Sequence, residues 1–468
     1  MTLRMALHGI VAVLSRLRLN ACAWKILPLA LGLSGCASYT AMPLDGSDVE
    51  QALQSPDRGA LTRAAADLHH PRLAPVMLDF SKPLTPDELA VIAVLANPDL
   101  KALRARQNVV QAQVFAAGLL PDPQLSLGLD HPITKGFTNA FAAGLSLDIG
   151  ALFVRGKNVD AAQSAAQQVR LDIAWQEWLA AGQARLLAVR IASLEQAAQL
   201  TQDGRDIADR ALSRALTAAG RGDLKADEVE LRRIAAADAD TRALTVARDL
   251  AAARQDLNRL LGLPPDAALN LAVVAPPVET TPDAAALFER AKHQRLDLQA
   301  FAAGYQSQEI AVRRAVLGQY PRLALTLNRN RDTSGVQTFG PAISLDLPLW
   351  NHNRGAIRVA EADRSQLRAE YEARLFNTRA DIAALVDSIS REQTQLEQLS
   401  AQIPALQQIA GHFAAAAQRG DVTASAAEAA QASLLDKQLA LNGLQQAIDE
   451  QRIALELNVG APLTESGQ

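Results

Sequence analysis

Cysteine is almost absent from this chain. Among 468 residues there are two, Cys22 and Cys36. Both lie near the start, so the body has neither a disulfide framework nor a thiolate cluster for zinc or an iron–sulfur centre. No basic excess exists either: 46 lysines and arginines stand against 50 acids, a net charge of −4, which excludes the footprint that holds nucleic acid. No apolar run reaches the roughly 20 residues that a membrane-spanning helix needs, so no such helix is predicted. Phosphate-binding loops, G-x-G-x-x-G, G-x-S-x-G and H-E-x-x-H are all missing, which disfavours an enzyme and gives no reason to expect a cofactor. His131, His293, His352 and His412 are scattered, and His69-His70 are adjacent imidazoles without further ligands, so no metal site is predicted. Four methionines are too few for a copper-binding track. Aromatics are scarce at 4%, yet the hydrophobic fraction is 49% and the charged fraction 21%, the balance of a folded protein rather than a disordered one.

What is present begins with an address. Residues 1–35 carry Arg4, Arg16, Arg18 and Lys25 and no acid, with a short apolar run from Ile26 to Leu33, the pattern of an export signal. The run ends in Leu33-Ser34-Gly35-Cys36, which resembles the lipobox of bacterial lipoproteins. That resemblance implies cleavage before Cys36 and acylation of its thiol and new amine, a covalent lipid as the chain's sole non-protein group. Ala37 and Ser38 after it imply sorting to the outer membrane. The alternative is an ordinary signal peptide with a cysteine near its cleavage site. Two or more acyl chains anchor stably where one binds only marginally. From 36 to 85 the chain is polar and broken by Pro43, Pro56, Pro71, Pro75 and Pro83, which predicts an extended tether.

The body is one unit written twice. Leu100-Lys101-Ala102-Leu103 pairs with Leu298-Gln299-Ala300-Phe301 at an offset of 198 in the numbering. The same offset relates Pro123-Gln124-Leu125-Ser126-Leu127 to Pro321-Arg322-Leu323-Ala324-Leu325, and Arg221-Gly222-Asp223 to Arg419-Gly420-Asp421. It also relates Gly262 and Pro264 to Gly460 and Pro462. One shared offset across separated landmarks predicts two copies of a structural unit. We place a first repeat at 86–264, a linker at 265–294, a second repeat at 295–463 and a tail at 464–468.

Within each copy, proline outlines the elements, because an interior proline costs a helix about 3 kcal/mol. No proline falls between Pro132 and Pro264, and only Pro404 lies between Pro348 and Pro462. A stretch from about Arg155 to Arg221 can form about 65 helical residues, roughly 100 Å long. Each copy is predicted to hold a long helical hairpin turning at Gly222 or Gly420, with Pro404 kinking its helix or marking a join. A helix is predicted from Thr85-Pro86-Asp87-Glu88, capped again before Asp99. Between helices the period falls to two. Leu125, Leu127 and Leu129 alternate with Ser126, Gly128 and Asp130, and Leu323, Leu325 and Leu327 alternate with Ala324, Thr326 and Asn328. Strands of about ten residues are the length that crosses an outer membrane with one apolar face to lipid. A soluble antiparallel sheet with one buried face shows the same alternation. Four strands cannot close on themselves, and lipid demands closure. Two chains would supply eight strands and three would supply twelve; a helical wall that also encloses a channel favours three.

Asn97-Pro98-Asp99-Leu100, the turn Leu120-Pro121-Asp122-Pro123, the stretch Leu347-Pro348-Leu349-Trp350-Asn351-His352-Asn353-Arg354-Gly355 and the hairpin glycines together resemble the TolC family of outer-membrane efflux proteins. The likeness spans nearly all of 86–463. It implies a mostly α fold with a transmembrane β part: two repeats whose long helical hairpins form a periplasmic α-barrel, and four strands per chain in a homotrimeric 12-stranded β-barrel. It implies a bacterial outer-membrane exit duct that passively conducts small toxic solutes, drugs or metal cations. Its implied partners are a periplasmic adaptor, an inner-membrane resistance-nodulation-division pump and outer-membrane lipid. A type I protein-secretion duct is the rival within transport, and a poreless periplasmic scaffold of helical hairpins is the rival outside it. The family uses its hairpin tips against the adaptor, which maps to Arg221, Gly222, Asp223 and Leu224 and to Arg419, Gly420, Asp421 and Val422. Acids after the second tip that narrow the entrance map to Asp421 and Glu428. Pro348, Trp350 and Gly355 mark the strand-to-helix corner, and Gly150-Ala151-Leu152-Phe153 in the first copy departs from that pattern, which predicts a corner of different shape. Without a family, the Gly-Asp pair at each tip reads as a helix stop followed by an acid on the next helix N-terminus.

Overall fold

A computed structural model describes residues 39–44, 46–272 and 283–463. Two compact units are present, 1–54 and 55–468. In the first, the only helix among the described residues is α1 (Ser47–Ala52). The segment 1–35 predicted as an export signal, Cys36, part of the linker and the tail 464–468 lie outside the described residues.

The second unit follows the repeat. Helix α2 (Arg58–Ala66) precedes α3 (Pro86–Ala96), α4 (Pro98–Gly118), β1 (Gln124–Asp130), β2 (Ala140–Asp148), α5 (Gly150–Gly220) and α6 (Ala226–Leu260). The second copy is α7 (Ala284–Gln294), α8 (Leu296–Leu317), β3 (Arg322–Arg331), β4 (Gln337–Asp346), α9 (Arg354–Arg419) and α10 (Ala424–Val459). The starts of α3, α4, β1 and α6 recur in α7, α8, β3 and α10 at the offset that relates the sequence landmarks. Helix α7 therefore belongs to the second copy as α3 belongs to the first, although its residues fall within 265–294.

Helix starts are written locally. Thr85 and Glu88 form a capping box around Pro86: Thr85 N–H donates to Glu88 Oε2 at 2.7 Å, and Glu88 N–H donates to Thr85 Oγ1 at 3.3 Å. Asn97 ends α3 and caps α4 through Leu100 N–H at 2.9 Å. Helix α5 has 71 residues and α9 has 66, each about 100 Å at 1.5 Å per residue. Helix α9 runs on through Pro404 without a break in its assignment, so the predicted join is not there.

Long helices need lateral partners to bury a face. Helix α5 packs on α3, α4, α6, α8 and α10, and α9 packs on α7, α8 and α10. Glycine allows one of these contacts to be close: a Cβ built on Gly182 of α5 would overlap the isobutyl group of Leu457 on α10, and one on Gly204 would lie 2.5 Å from Leu435 Cδ2. Gly204 follows Gly182 along α5 by as much as Leu435 precedes Leu457 along α10, so the two contacts belong to one antiparallel seam. Between them Asn442 Nδ2 donates to Ser193 Oγ at 2.9 Å.

Residues 55–84 are not the extended tether that their prolines predict. Leu61, Leu73, Leu78 and Leu84 are buried against α3, α5 and α6, each leucine contributing roughly 1.5–3 kcal/mol. Leu84 adds a parallel bridge to Leu271, with Leu84 N–H donating to Asn270 O and Ala272 N–H to Leu84 O, both 2.8 Å. His70 fixes the segment further. Its ring is 2% exposed, its Nδ1 accepts from Arg72 N–H at 3.1 Å, and its Nε2 donates to Ala174 O at 3.2 Å. An accepting Nδ1 means a neutral ring, and burial lowers the His70 pKa below its usual value despite the nearby Glu177 carboxylate.

Candidate functional site

The strands form one antiparallel sheet in the order β1-β2-β3-β4. Hairpins join β1 to β2 and β3 to β4 as the alternation predicts, and β2 pairs with β3 to fuse the two copies, with Leu145 opposite Leu327 and Leu147 opposite Leu325. At the far end the loops turn at Gly136 (φ 92°) and Gly335 (φ 88°) and are tied by Thr138 N–H donating to Thr333 O at 2.9 Å.

Pairing partners share a face, so the register sorts every side chain. One face carries Leu125, Leu145, Leu327 and Pro341 across a single row, with Leu147, Leu325 and Ile343 below and Leu127, Ala143, Arg329 and Phe339 above. The other carries Ser126, Gly144, Asn328 and Gly340, and Ser146, Thr326 and Ala342. Thr326 Oγ1 donates to Ser146 Oγ at 3.1 Å. The apolar leucines and phenylalanines stay exposed, Leu127 at 68% and Phe339 at 72%. Among the described residues no helix packs over that face, and α5 meets the sheet at β3. A soluble sheet would bury this face against its own core. Below the sheet, Phe153, Tyr320 and Trp350 are exposed, Trp350 at 94%. Among the described residues, β1 and β4 each leave one edge unpaired.

The two corners differ, as predicted. In the first copy Asp148 Oδ1 accepts Ala151 N–H at 3.0 Å and α5 starts at once at Gly150. In the second, Pro348–Asn353 intervene before α9, with His352 and Asn353 at φ 47° and 57°. Asn353 Nδ2 donates to Ala315 O at 2.7 Å and packs so tightly on Gly318 that a Cβ there would come within 2.5 Å of it. Gly355 has open space around it, so no close approach demands its lack of a side chain.

The hairpin tips are near copies. Gly222 (φ 80°) and Gly420 (φ 81°) sit in the left-handed region that favours glycine. Asp223 N–H donates to Ala218 O at 3.0 Å and Asp421 N–H to Ala416 O at 2.9 Å, the six-to-one bond of a Schellman stop. The tip acids do not cap the next helix. Thr423 caps α10 by accepting Ala426 N–H at 3.3 Å, and Asp421 pairs with Arg419 at 2.8 Å. Lys225 at the start of α6 makes no side-chain cap bond. Leu224 and Val422 are half-buried beside the exposed Arg221 and Arg419. Glu428 reaches across to Arg232 of α6 at 3.2 Å, and Arg242 of α6 meets Asp436 of α10 at 3.0 Å. Sequence spacing did not reveal either pairing, because the arginines lie on the other copy.

The start of α8 holds a further charged cluster that the sequence did not announce. Arg295 and Asp297 form a two-pronged pair, Nε–Oδ1 3.0 Å and Nη2–Oδ2 2.8 Å, with side chains 5% and 7% exposed. Arg295 also lies 4.7 Å over the Trp175 ring and donates to Asn458 O at 3.0 Å. Its counterpart in the first copy, Asn97, donates to Leu260 O at 2.9 Å, the carbonyl equivalent to Asn458. Among the described residues no group of histidines, cysteines and acids is arranged to hold a metal ion.

A bundle of long helical hairpins thus ends in a small sheet with a bare apolar face. Residues 287–461, most of the second repeat, match the model of the family described as Outer membrane efflux protein. The chain has the same fold as VceC, an outer membrane protein of Vibrio cholerae, at 18% identity and a TM-score of 0.65 over 81% of this chain and 97% of that one. The Campylobacter jejuni CmeC outer membrane channel aligns at 14% identity and a TM-score of 0.67, covering 82% and 87%. The open state of the Neisseria gonorrhoeae MtrE outer membrane channel aligns at 17% identity and 0.61, covering 81% and 89%. No curated protein sequence matches the chain. The resemblance to the TolC family, and the two-repeat fold that it implies, are thus borne out. The matched family is one of efflux channels rather than enzymes.

Proposed function

We propose that this chain is the outer-membrane exit duct of a tripartite efflux system, passively conducting small toxic solutes from an inner-membrane pump to the exterior. The observation that carries the reading is the bare apolar sheet face, which water would not tolerate at that size and which lipid requires. Three chains close the sheet into twelve strands by pairing the β4 edge of one with the β1 edge of the next, leaving the polar face toward a lumen. A covalent lipid on Cys36 anchors the chain to the membrane. The lumen works by width and charge, with energy supplied by the pump.

The tips of the two hairpins are the docking segments for a periplasmic adaptor, centred on Leu224 and Val422 with Arg221 and Arg419 at their rims. Asp421 and Glu428 narrow the entrance as members of arginine–carboxylate pairs, so the ring they form is less negative than free acids would make it. Photo-crosslinkers at Leu224 and Val422, in cells that express the pump, should trap the adaptor. Crosslinks that appear equally from Ile234 on the wall of α6, or none from either tip, would sink the docking role. Replacing Asp421 and Glu428 with amides should lower the cation preference of the pore; an unchanged preference would remove them from the gate.

A further inference from the structure

Charge on the sheet is segregated by face. The strand acids Asp130, Asp148 and Asp346 all share the polar face with Ser126, Ser146 and Ser344, and so does Arg322. The apolar face holds two charged residues among those described, Arg329 and Arg331, and no acid. Both lie on β3, two positions apart, about 7 Å along the strand. Both are exposed, and neither makes an ion pair among the described residues. Asp332 beside them is already engaged, accepting from Ser334 N–H, Ser334 Oγ and Val336 N–H at 2.7–2.9 Å.

Their height follows from the register. Leu323 opposite Leu345 opens the apolar face at the helix end, and Arg331, opposite Phe141 and in line with Gln337, closes it at the loop end. From Leu323 to Arg331 is about 27 Å along the strand and about 20 Å along the normal at a tilt near 40°. An arginine at the middle of such a band costs about 2–4 kcal/mol, and one at its edge about 0–1. On the membrane reading the arginine pair thus sits where hydrocarbon gives way to headgroups, a level that side chains of this length can reach with their guanidinium groups. Guanidinium matches phosphate oxygens two at a time.

We propose that Arg329 and Arg331 form a docking site for the phosphorylated headgroup of a glycolipid in the outer leaflet, three such sites around a closed barrel. The inference rests on the membrane reading of the apolar face. It names the lipid chemistry that this face selects: phosphate-bearing, on the side of the loops, and held against Phe141 and Phe339.

Full-length chain extracted in detergent tests it, with retained lipid counted by native mass spectrometry. The probes are diphosphoryl lipid A, its monophosphoryl form and inorganic phosphate. Diphosphoryl lipid A should be retained about 25-fold better by the native chain than by R329Q/R331Q, since each basic residue near a lipid phosphate contributes on the order of a factor of five. R329K/R331K should recover part of the difference, and R322Q, on the polar face, should match the native chain. Millimolar inorganic phosphate should not displace the lipid. Equal retention by R329Q/R331Q, equal loss in R322Q, or displacement by inorganic phosphate would overturn the proposal while leaving a chain that still enters bilayers. If the native chain enters no bilayer at all, the membrane reading fails and this inference with it.

Discussion

Leu145 occupies the middle of five apolar rows, between Leu125 and Leu327, and Leu145→Arg places a cation at the centre of the lipid band. The cost is about 2–4 kcal/mol per chain, and three chains in one barrel bring it to about 6–12 kcal/mol, comparable to the whole stability of an ordinary domain. Leu129→Arg puts the same charge in the last row, beside Phe141, where the cost falls to about 0–1 kcal/mol. Ser146→Arg, next to Leu145 in the chain but on the polar face, meets water and loses mainly the hydrogen bond from Thr326, about 1 kcal/mol. The assay is the yield of heat-modifiable oligomer after refolding into bilayers, followed by urea titration of the inserted species. The order of damage should be Leu145→Arg, then Ser146→Arg and Leu129→Arg close together. Equal damage at Leu145 and Leu129 would refute the reasoning, since a face covered by protein carries no depth profile.

Three further outcomes follow from the helical part. Gly182→Ala forces the Leu457 side chain aside and should destabilise by about 1–3 kcal/mol, partly recovered by Leu457→Ala, whereas Gly443→Ala, in open space within α10, should stabilise by about 0.5–1 kcal/mol; both are read by denaturant midpoints. Asp297→Asn strands the buried Arg295 guanidinium, and the loss should be about 3–5 kcal/mol by the same measurement. His70 has a lowered pKa in the fold, so the unfolded chain binds its proton first as pH falls through about 6.5. The stability that neutral His70 contributes is therefore complete above that value and declines below it. His70→Gln should flatten the slope of stability against pH in that window, and an unchanged slope would show that the ring is not buried neutral.

Much of the fold was legible because it is written in periods. The single offset between the copies located the long hairpins but left α7 within the linker 265–294, the change from a helical to a two-residue alternation located the strands, and Gly222 and Gly420 located the turns. What escaped has no period. Leu61, Leu73, Leu78 and Leu84 are isolated leucines among prolines, and their burial depends on a groove made by α3, α5 and α6 far along the chain. Gly182 and Gly204 look like breaks in a helix until Leu457 and Leu435 are seen to fill them. Asn97 and Arg295 satisfy equivalent carbonyls with different side chains, so residue matching between copies misses their shared role. At the candidate gate, Glu428 was visible and its partner Arg232 was not, because a salt bridge across two hairpins leaves no trace in local spacing.

The central claim is that the sheet closes with two other copies into a pore. Single-channel conductance of the purified full-length chain in planar bilayers, with its oligomer mass measured in the same detergent, tests it most directly. The account predicts stable trimers and discrete conductance steps. Folded chains that remain monomeric and never conduct would contradict it and return the hairpins to a poreless scaffold.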